Sequence, residues 1–243
     1  MTISSLWVLT PQNYSTRIES MVLDSSSTEH RVALHRALGD AHRLAITDAL
    51  WCSDHTAAEL QTLTGLRSNA LAFHLDVLER AGLIARHPSQ GDRRRRYITL
   101  QPAALPYVDP ATPLAARCVL FVCTHNAARS QFAAALWRRR TNRSAFSAGT
   151  QPAARVDPVA VTVAADHGLD LSAARPRHVA DIAMAPDLVV SVCDRAHETA
   201  RNLDAPRQHW SIPDPVGGDR RMFEAVFASI ADRIDRLAVQ AAA

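Results

Sequence analysis

The chain has 243 residues and is 47% hydrophobic, enough for one large domain or two small ones with packed cores. Its formal net charge of +3 is only a weak indication of nucleic-acid binding. All 27 basic residues are Arg, a usage typical of a GC-rich bacterial genome such as that of an actinobacterium.

The cysteine pattern and the lack of a long apolar run indicate the cellular compartment of the protein. Cys52, Cys118, Cys123 and Cys193 form no C-x-x-C pair, and no secretory leader pattern precedes them. No apolar run approaches the about 18 residues that a membrane span needs. We therefore expect free thiols in a reducing cytoplasm and no membrane association.

Helical periodicity begins at His30. Residues 1–29, rich in Ser and Thr and weakly patterned, form a predicted N-terminal arm that is either flexible or packs in a dimer. Residues 30–100 are predicted to form helices over 30–38, from 41 onward, over 56–63 and over 68–81, then strands over 83–86 and 96–100 around a turn at 89–92. Helix, helix, turn, helix and hairpin is the order of a mainly α winged helix-turn-helix domain.

Two sequence words in this region resemble the ArsR/SmtB-type repressor family. They are Ala-Leu-Gly-Asp-Ala-His-Arg-Leu-Ala-Ile at 37–46 and Leu-Glu-Arg-Ala-Gly-Leu-Ile at 78–84. The resemblance implies a homodimer on double-stranded DNA, with the helix over 68–81 in the major groove and the hairpin as a wing. The residues that it places at the DNA are Arg67, Ser68, Asn69 and Phe73 of the helix and Arg93, Arg94, Arg95 and Arg96 of the wing.

An alternative interpretation of the wing is a solvated arginine turn with a purely structural role. Phe73 and Asp76 stand where the family often has polar or basic residues, and the Asp76 carboxylate would repel phosphate if it faces the DNA backbone. The family's arsenic or metal site is a Cys-x-Cys pair. This chain has Cys52 alone with His55, so we predict no metal site.

A proline-rich stretch separates the two halves of the chain. Residues 101–116 contain four prolines among alanines, which predicts a semi-rigid, extended linker. Residues 117–243 then alternate predicted strands over 118–122, 146–150, 188–192 and 209–212 with helices over 130–140, 157–167 and 222–239. This alternation predicts an α/β domain with a parallel sheet flanked by helices, whose ligand lies at the carboxyl ends of the strands.

The segment 119–130 predicts an oxyanion site beside a nucleophile. Cys123 ends an apolar strand, and a loop leads from it into a helix N-terminus, where backbone N–H groups can surround an anion. Arg129 can add a bidentate fork and favours the Cys123 thiolate as the attacking species. Asp214, held between two prolines, is the candidate acid for the leaving oxygen. The predicted oxyanion-binding residues are Thr124, His125, Asn126, Ala127, Ala128, Arg129 and Ser130.

Residues 118–240 resemble the low-molecular-weight phosphatase superfamily and, within it, the arsenate reductases. The matching words are Ser-Ala-Gly-Thr-Gln-Pro-Ala at 147–153, Leu-Val-Val-Ser-Val-Cys at 188–193 and His-Trp-Ser-Ile-Pro-Asp-Pro at 209–215. Val216, Gly217 and Gly218 stand where the phosphatase branch has aromatic residues. This departure favours arsenate, a small inorganic oxyanion, over phosphotyrosine as the substrate.

The same resemblance bears on the reductant. Cys193 matches the second thiol of thioredoxin-coupled arsenate reductases, but the position of the third thiol falls at Ala200. We therefore expect no bound cofactor and an external small thiol, such as mycothiol in an actinobacterial host, that resolves the Cys123 adduct. The other route is a Cys123–Cys193 disulfide that a redoxin reduces.

Together these features predict an arsenate reductase fused to an arsenic-responsive transcription regulator that serves arsenic resistance. Two alternatives remain open at this stage. One is a protein-tyrosine phosphatase with a DNA-binding domain, and the other is a non-catalytic repressor that senses an oxyanion.

Overall fold

In the computed structural model the described residues are 25–108, 114, 116–200 and 203–242. Most of the predicted N-terminal arm therefore lies outside the described residues. The first half contains α1 (Ser25–Leu38), α2 (Ala41–Ala49), β1 (His55–Thr56), α3 (Ala57–Thr64), α4 (Ser68–Arg80), β2 (Ile84–Pro88) and β3 (Arg96–Leu100). This order confirms the predicted mainly α winged helix-turn-helix architecture.

Local sequence signals set the ends of these helices. The Asp40 carboxylate caps α2 by accepting hydrogen bonds from two backbone N–H groups of its first turn. Thr56 and Glu59 form the capping box at the start of α3. Gly65 ends α3 with a left-handed φ of 68°, a conformation that glycine adopts without strain.

The wing is the hairpin of β2 and β3. The three strands of this half are antiparallel in the order β1-β3-β2, and Pro88 pairs with Arg96 at the far end of the hairpin. We call residues 89–95, which join the two strands, the wing tip. The wing tip points at the second half of the chain, because its polar groups bond to residues 104 to 124 positions away.

The prediction of an extended linker is wrong for its first part. Pro102–Tyr107 forms a 3-10 helix with Pro102 in its first turn, where proline needs no N–H partner. Ala104 and Val108 are buried, so this helix packs onto the core. The rest of the predicted linker, except 114 and 116, lies outside the described residues.

The second half is an α/β layer structure, as predicted. Its sheet has the order β5-β4-β6-β7 and every pairing is parallel. Helix α5 packs against α8, as does α6, while α7 contacts β4 and β6. The elements are β4 (Cys118–Cys123), α5 (Arg129–Thr141), β5 (Ser144–Gly149), α6 (Pro158–Asp166), β6 (Leu188–Ser191), α7 (Asp194–Thr199), β7 (Arg207–His209) and α8 (Arg220–Ala242).

The last predicted strand was misplaced. The strand predicted over 209–212 lies at Arg207–His209, because the chain turns after β7. In that turn the Ile212 N–H donates to the Trp210 carbonyl, 2.9 Å away, so it does not continue the ladder. The turn carries the chain across the carboxyl ends of β4 and β6.

The two halves pack directly on each other. The indole N–H of buried Trp210 donates to the Cys52 carbonyl at 2.7 Å. Arg233 of α8 pairs with the buried Asp54 carboxylate at 2.8 Å, and that carboxylate also accepts from the Ser211 N–H. The winged domain is therefore fixed against the sheet domain through buried polar contacts as well as through the linker. In the described part of the chain, none of the helices is long and apolar enough to cross a bilayer.

Candidate active site

The thiol of Cys123 lies at the carboxyl end of β4 and is enclosed by its own loop. Its Sγ is 3.0 Å from Ser130 Oγ and accepts a hydrogen bond from the Asn126 N–H at 3.1 Å. The Asn126 side-chain amide donates to Ser130 Oγ at 2.7 Å. Because that oxygen already accepts one hydrogen bond, its own proton is available for the sulfur, an arrangement that stabilises a thiolate.

Asn126 gives the loop its curvature. Its φ of 50° lies in the left-handed region, which Asn tolerates better than most residues. The Gln131 amide donates to both the carbonyl and the side-chain oxygen of Asn126, at 3.1 and 3.2 Å. The Arg177 N–H donates to the same side-chain oxygen at 2.9 Å. Sequence reasoning did not find Gln131 or Arg177, because supporting groups of this kind carry no motif of their own.

The backbone of the loop is oriented for anion binding. The carbonyls of Cys123, Thr124, His125 and Ala127 accept hydrogen bonds of 2.8–3.1 Å from N–H groups of segment 150–157. In a planar trans peptide the following N–H points the opposite way from the carbonyl. The loop N–H groups that follow these carbonyls therefore face the inside of the loop, where they can form a nest for oxyanion oxygens.

Gly149 allows β5 to approach this loop. A Cβ atom at Gly149 would lie 2.7 Å from the Thr124 carbonyl oxygen, closer than real Cβ atoms come, and 3.1 Å from Asn126, which is also tight. Only glycine fits this close backbone approach. The reason for glycine at this position lies in a contact between β5 and a different loop, which the local sequence does not show.

Arg129 and Asp214 meet at the site. The Arg129 side chain is only 4% exposed and donates to the Ile212 carbonyl at 3.0 Å. Its other terminal nitrogen lies 2.8 Å from the Asp214 carboxylate. The structure thus brings the predicted guanidinium and the predicted acid together, and the turn after β7 supplies both of its partners.

Cys193 lies beside the same loop. Its Sγ is 3.4 Å from Thr124 Oγ1, and burial raises the pKa of its thiol, opposed by the charge of Arg129. Cys118 lies at the opposite end of β4 from Cys123. Cys52 is buried in the interface between the two halves, where burial raises the pKa of its thiol to about 12. Cys123 and Cys193 are thus the two thiols at the site.

The wing tip forms one wall of the space above the Cys123 loop. The Gln90 N–H donates to the Asp194 carboxylate at 2.6 Å, and the Gln90 side-chain oxygen accepts from the Asp214 N–H at 2.9 Å. A cavity of about 600 Å³ lies between the domains. It is lined by Pro88, Ser89, Gln90 and Arg93 from the wing and by Thr124, Arg129, Cys193, Asp194, Arg195 and Asp214 from the second half. No sequence motif indicates this contact between the domains.

Asp194, which anchors the wing tip, is part of a buried polar network. Burial raises its pKa, but hydrogen bonds from His209, Ser211 and the Gln90 N–H outweigh that effect, so its pKa is lowered. His209 lies 3.1 Å from Asp194, and burial lowers the pKa of this histidine. A neutral imidazole beside an ionised carboxylate is therefore the favoured state at neutral pH.

The residues predicted to read DNA fall into two places. Arg67, Ser68, Asn69 and Phe73 are all exposed around the start of α4, and Phe73 is 59% exposed. Of the wing arginines, Arg94 and Arg95 pair with Asp92 at 3.0 and 3.7 Å, and Arg96 starts β3 with its side chain exposed. Arg93 alone of these lines the cavity.

Asp76, the residue that departed from the repressor pattern, has a partner. Its carboxylate binds the Arg86 guanidinium at 2.6 Å. The negative charge is therefore offset within the domain, which reduces the repulsion that a DNA phosphate would meet.

Comparison with known proteins decides the family. The low molecular weight phosphotyrosine protein phosphatase family matches residues 118–243, about half of the chain. The chain belongs to this family. Residues 38–87 match a helix-turn-helix domain family, which confirms the predicted domain type in the first half.

Among the curated relatives of this family member are bacterial arsenate reductases. The arsenate reductase of Bacillus cereus (strain AH187) is 32% identical over 126 residues, which is 49% of this chain and 92% of the relative. The arsenate reductase of Brevibacillus brevis is 33% identical over 128 residues, which is 50% of this chain and 94% of the relative. A crystal structure of arsenate reductase from Archaeoglobus fulgidus DSM 4304 has 36% identity and a TM-score of 0.45, covering 50% of this chain and 98% of that one.

Proposed function

We propose that this protein is a thiol-dependent arsenate reductase fused to an arsenic-responsive, ArsR-type DNA-binding regulator. The observation that carries the proposal is the Cys123 loop, which combines a hydrogen-bonded thiol, inward N–H groups and the Arg129–Asp214 pair. The half of the chain that holds this loop is about one-third identical to arsenate reductases. Residues 117–243 form the reductase domain and residues 30–100 form the regulator domain.

The site favours a small oxyanion over a phosphorylated side chain. Val216, which follows the Asp214-Pro215 pair, is 47% exposed, and two glycines come after it. These residues offer no aromatic face on which a phenyl ring could stack. A tetrahedral inorganic ion needs only the nest and the guanidinium, which the loop provides.

The first chemical step uses Cys123 as the nucleophile. The Cys123 thiolate attacks arsenic, an As–S bond forms, and an arsenate hydroxyl leaves as water after taking a proton from Asp214. The Ser130 hydroxyl and the loop N–H groups hold the sulfur and the oxyanion oxygens. The residues that bind the oxyanion in this proposal are those of the loop, Thr124 to Ser130.

The second step reduces the arsenic. A thiolate attacks the Cys123 sulfur, a disulfide forms, and the As–S electron pair stays on arsenic, which leaves as arsenite. With a small external thiol, a second thiol then exchanges with the mixed disulfide and restores Cys123. With Cys193 as the attacker, the Cys123–Cys193 disulfide is reduced by a redoxin. The basic residues of the chain are all Arg, a usage typical of GC-rich actinobacterial genomes, and we therefore propose mycothiol as the reductant, in a reducing cytoplasm.

The assay is arsenite release from arsenate by the full chain, with a panel of small thiols and redoxin systems. Cys123→Ser should abolish the release, and Cys118→Ser, which changes a thiol at the far end of β4, should not. Absence of release with every reductant tested would refute the proposal. Fast hydrolysis of an aryl phosphate without arsenite release would assign the phosphatase activity instead.

The regulator part of the proposal has its own test. We propose that a homodimer binds duplex DNA through Arg67, Ser68, Asn69 and Phe73 of α4, which are exposed together, and through the wing arginines. The double variant Arg94→Ala with Arg95→Ala should weaken binding to the operator of the arsenic-resistance genes and reduce its salt dependence. Unchanged affinity at low salt would contradict the role of the wing.

A further inference from the structure

The charge balance of the cavity is the starting point. Arg129 is paired with Asp214 at 2.8 Å, so part of its positive charge is offset within the protein until Asp214 takes up the proton that the first step needs. The predicted reaction nevertheless brings a doubly charged oxyanion to a thiolate. Backbone N–H groups supply part of the compensation, but a further source of positive charge at the site would favour binding.

Two arginines that line the cavity carry a positive charge that no carboxylate of the described residues pairs with. Arg93 of the wing tip and Arg195 of α7 are both exposed and line the cavity. Within the described residues neither guanidinium forms an ion pair. Two aspartates also line the cavity: Asp214, which pairs with Arg129 at 2.8 Å, and Asp194, which accepts from the Gln90 N–H at 2.6 Å. Three arginines against two aspartates leave the cavity lining cationic, and one of the two arginines without an ion pair comes from the winged domain.

The wing tip is held where Arg93 can serve the site. The Glu198 carboxylate accepts hydrogen bonds from Ser89 Oγ and from the Asp92 N–H, both at 2.8 Å. Gly91 lies so close to α7 that a Cβ atom there would overlap the Glu198 carboxylate and lie 3.2 Å from Arg195 Cα. The backbone that leads into Arg93 is thus docked onto the second domain, and this contact sets the position of Arg93 at the rim.

We propose that the oxyanion site is shared by the two domains, with Arg93 of the wing acting together with Arg195 as the cationic rim that holds the anionic substrate. Arg93 is a specificity-determining residue in this proposal and takes no part in bond making. The inference rests on the proposed function of the Cys123 loop as an oxyanion site.

The test measures oxyanion affinity by two routes in the full chain. The first is the KM for arsenate. The second is the concentration of inorganic phosphate that protects Cys123 from alkylation by iodoacetamide, an uncharged reagent, followed by mass spectrometry of the Cys123 peptide. Arg93→Ala should weaken both by about fivefold, as for a partly exposed charge pair, with kcat changed less than about twofold.

Three companion variants make the result specific. Arg93→Lys keeps the charge and should restore most of the affinity. Arg80→Ala removes an exposed arginine of the same domain that does not line the cavity and should have no effect. Gly91→Ala changes no charge but pushes the wing tip off α7, so it should weaken oxyanion binding in the same direction as Arg93→Ala.

Two outcomes would overturn the proposal. One is phosphate protection and arsenate KM in Arg93→Ala equal to those of Arg80→Ala. The other is a change in the KM of the thiol alone. If no variant and no wild-type preparation releases arsenite, the proposed reductase function fails, while phosphate protection of Cys123 still reports whether Arg93 belongs to the oxyanion site.

Discussion

Glu198 is the residue whose removal should most directly release the wing. Its carboxylate accepts from Ser89 Oγ and the Asp92 N–H at 2.8 Å, and from the Tyr97 hydroxyl at 3.3 Å. All three donors belong to the wing, whereas Glu198 lies on α7. The variant Glu198→Ala therefore removes a contact between the domains and leaves three donors without that acceptor.

The expected loss follows from the type of bond. A hydrogen bond to a charged group contributes about 1.5–3 kcal/mol, and leaving a buried donor unpaired costs about 1–3 kcal/mol. Glu198 is half-buried, so water can replace it at the outer donors, and the three terms share one acceptor and do not add fully. We expect Glu198→Ala to lower the free energy of unfolding by about 2–4 kcal/mol.

Urea unfolding monitored by tryptophan fluorescence measures this loss, since Trp210 is buried between the halves. Glu224→Ala is the matched control, because Glu224 pairs with His167 and Arg220 on the exposed side of α8 and should change stability little. A loss in Glu198→Ala no larger than in the control would refute the docking argument. Because Arg93 lies on the released loop, the arsenate KM should also rise in Glu198→Ala.

Two further predictions concern the packing of β5 against the Cys123 loop and the loss of folding stability at acid pH. Gly149→Ala should cost about 1–3 kcal/mol and most of the arsenite release, because the new methyl would lie 2.7 Å from the Thr124 carbonyl oxygen; normal activity of the variant would contradict this account. Burial raises the pKa of Glu59, but hydrogen bonds from His197 and Thr56 outweigh it and lower the pKa to about 2. Since the ordinary value is 4.5, the stability that Glu59 contributes is present above that pH and is lost as pH falls toward about 2. The free energy of unfolding, measured at several pH values, should fall less steeply with decreasing pH in Glu59→Gln than in the wild type. Equal slopes for the two proteins would exclude Glu59 as the source of the fall.

Features with local signals could be predicted from the sequence. The Asp40 cap and the Thr56–Glu59 box each start a helix and Gly65 ends one, all within one or two residues of the expected place. The apolar run before Cys123 likewise predicts a buried parallel strand, because both of its faces are covered. Signals of this kind were enough to predict the order of helices and strands in both domains.

Features that depend on distant contacts could not be predicted. The wing tip bonds to Asp194 and Glu198, residues more than 100 positions away, and no pattern in either segment indicates the other. The orientation of the Cys123 loop depends on the N–H groups of segment 150–157, which read as an ordinary loop. Residues 102–107 show the same limit. Their prolines predict an extended chain, but the segment forms a 3-10 helix whose Ala104 packs onto the core.

The wing tip is assigned two ligands, operator DNA in one proposal and the oxyanion in the other. Operator phosphates and the oxyanion are both anions, and Arg93 is assigned to both. With Gln90 bonded to Asp194, the wing tip faces the cavity, so a wing placed on DNA would have to give up this contact. Linkage then requires operator DNA and oxyanion to weaken each other's binding by the same factor. Two titrations measure that factor independently: the phosphate Kd with and without operator duplex, and the operator Kd with and without phosphate. A factor of one in both would mean that the wing serves only one of the two ligands.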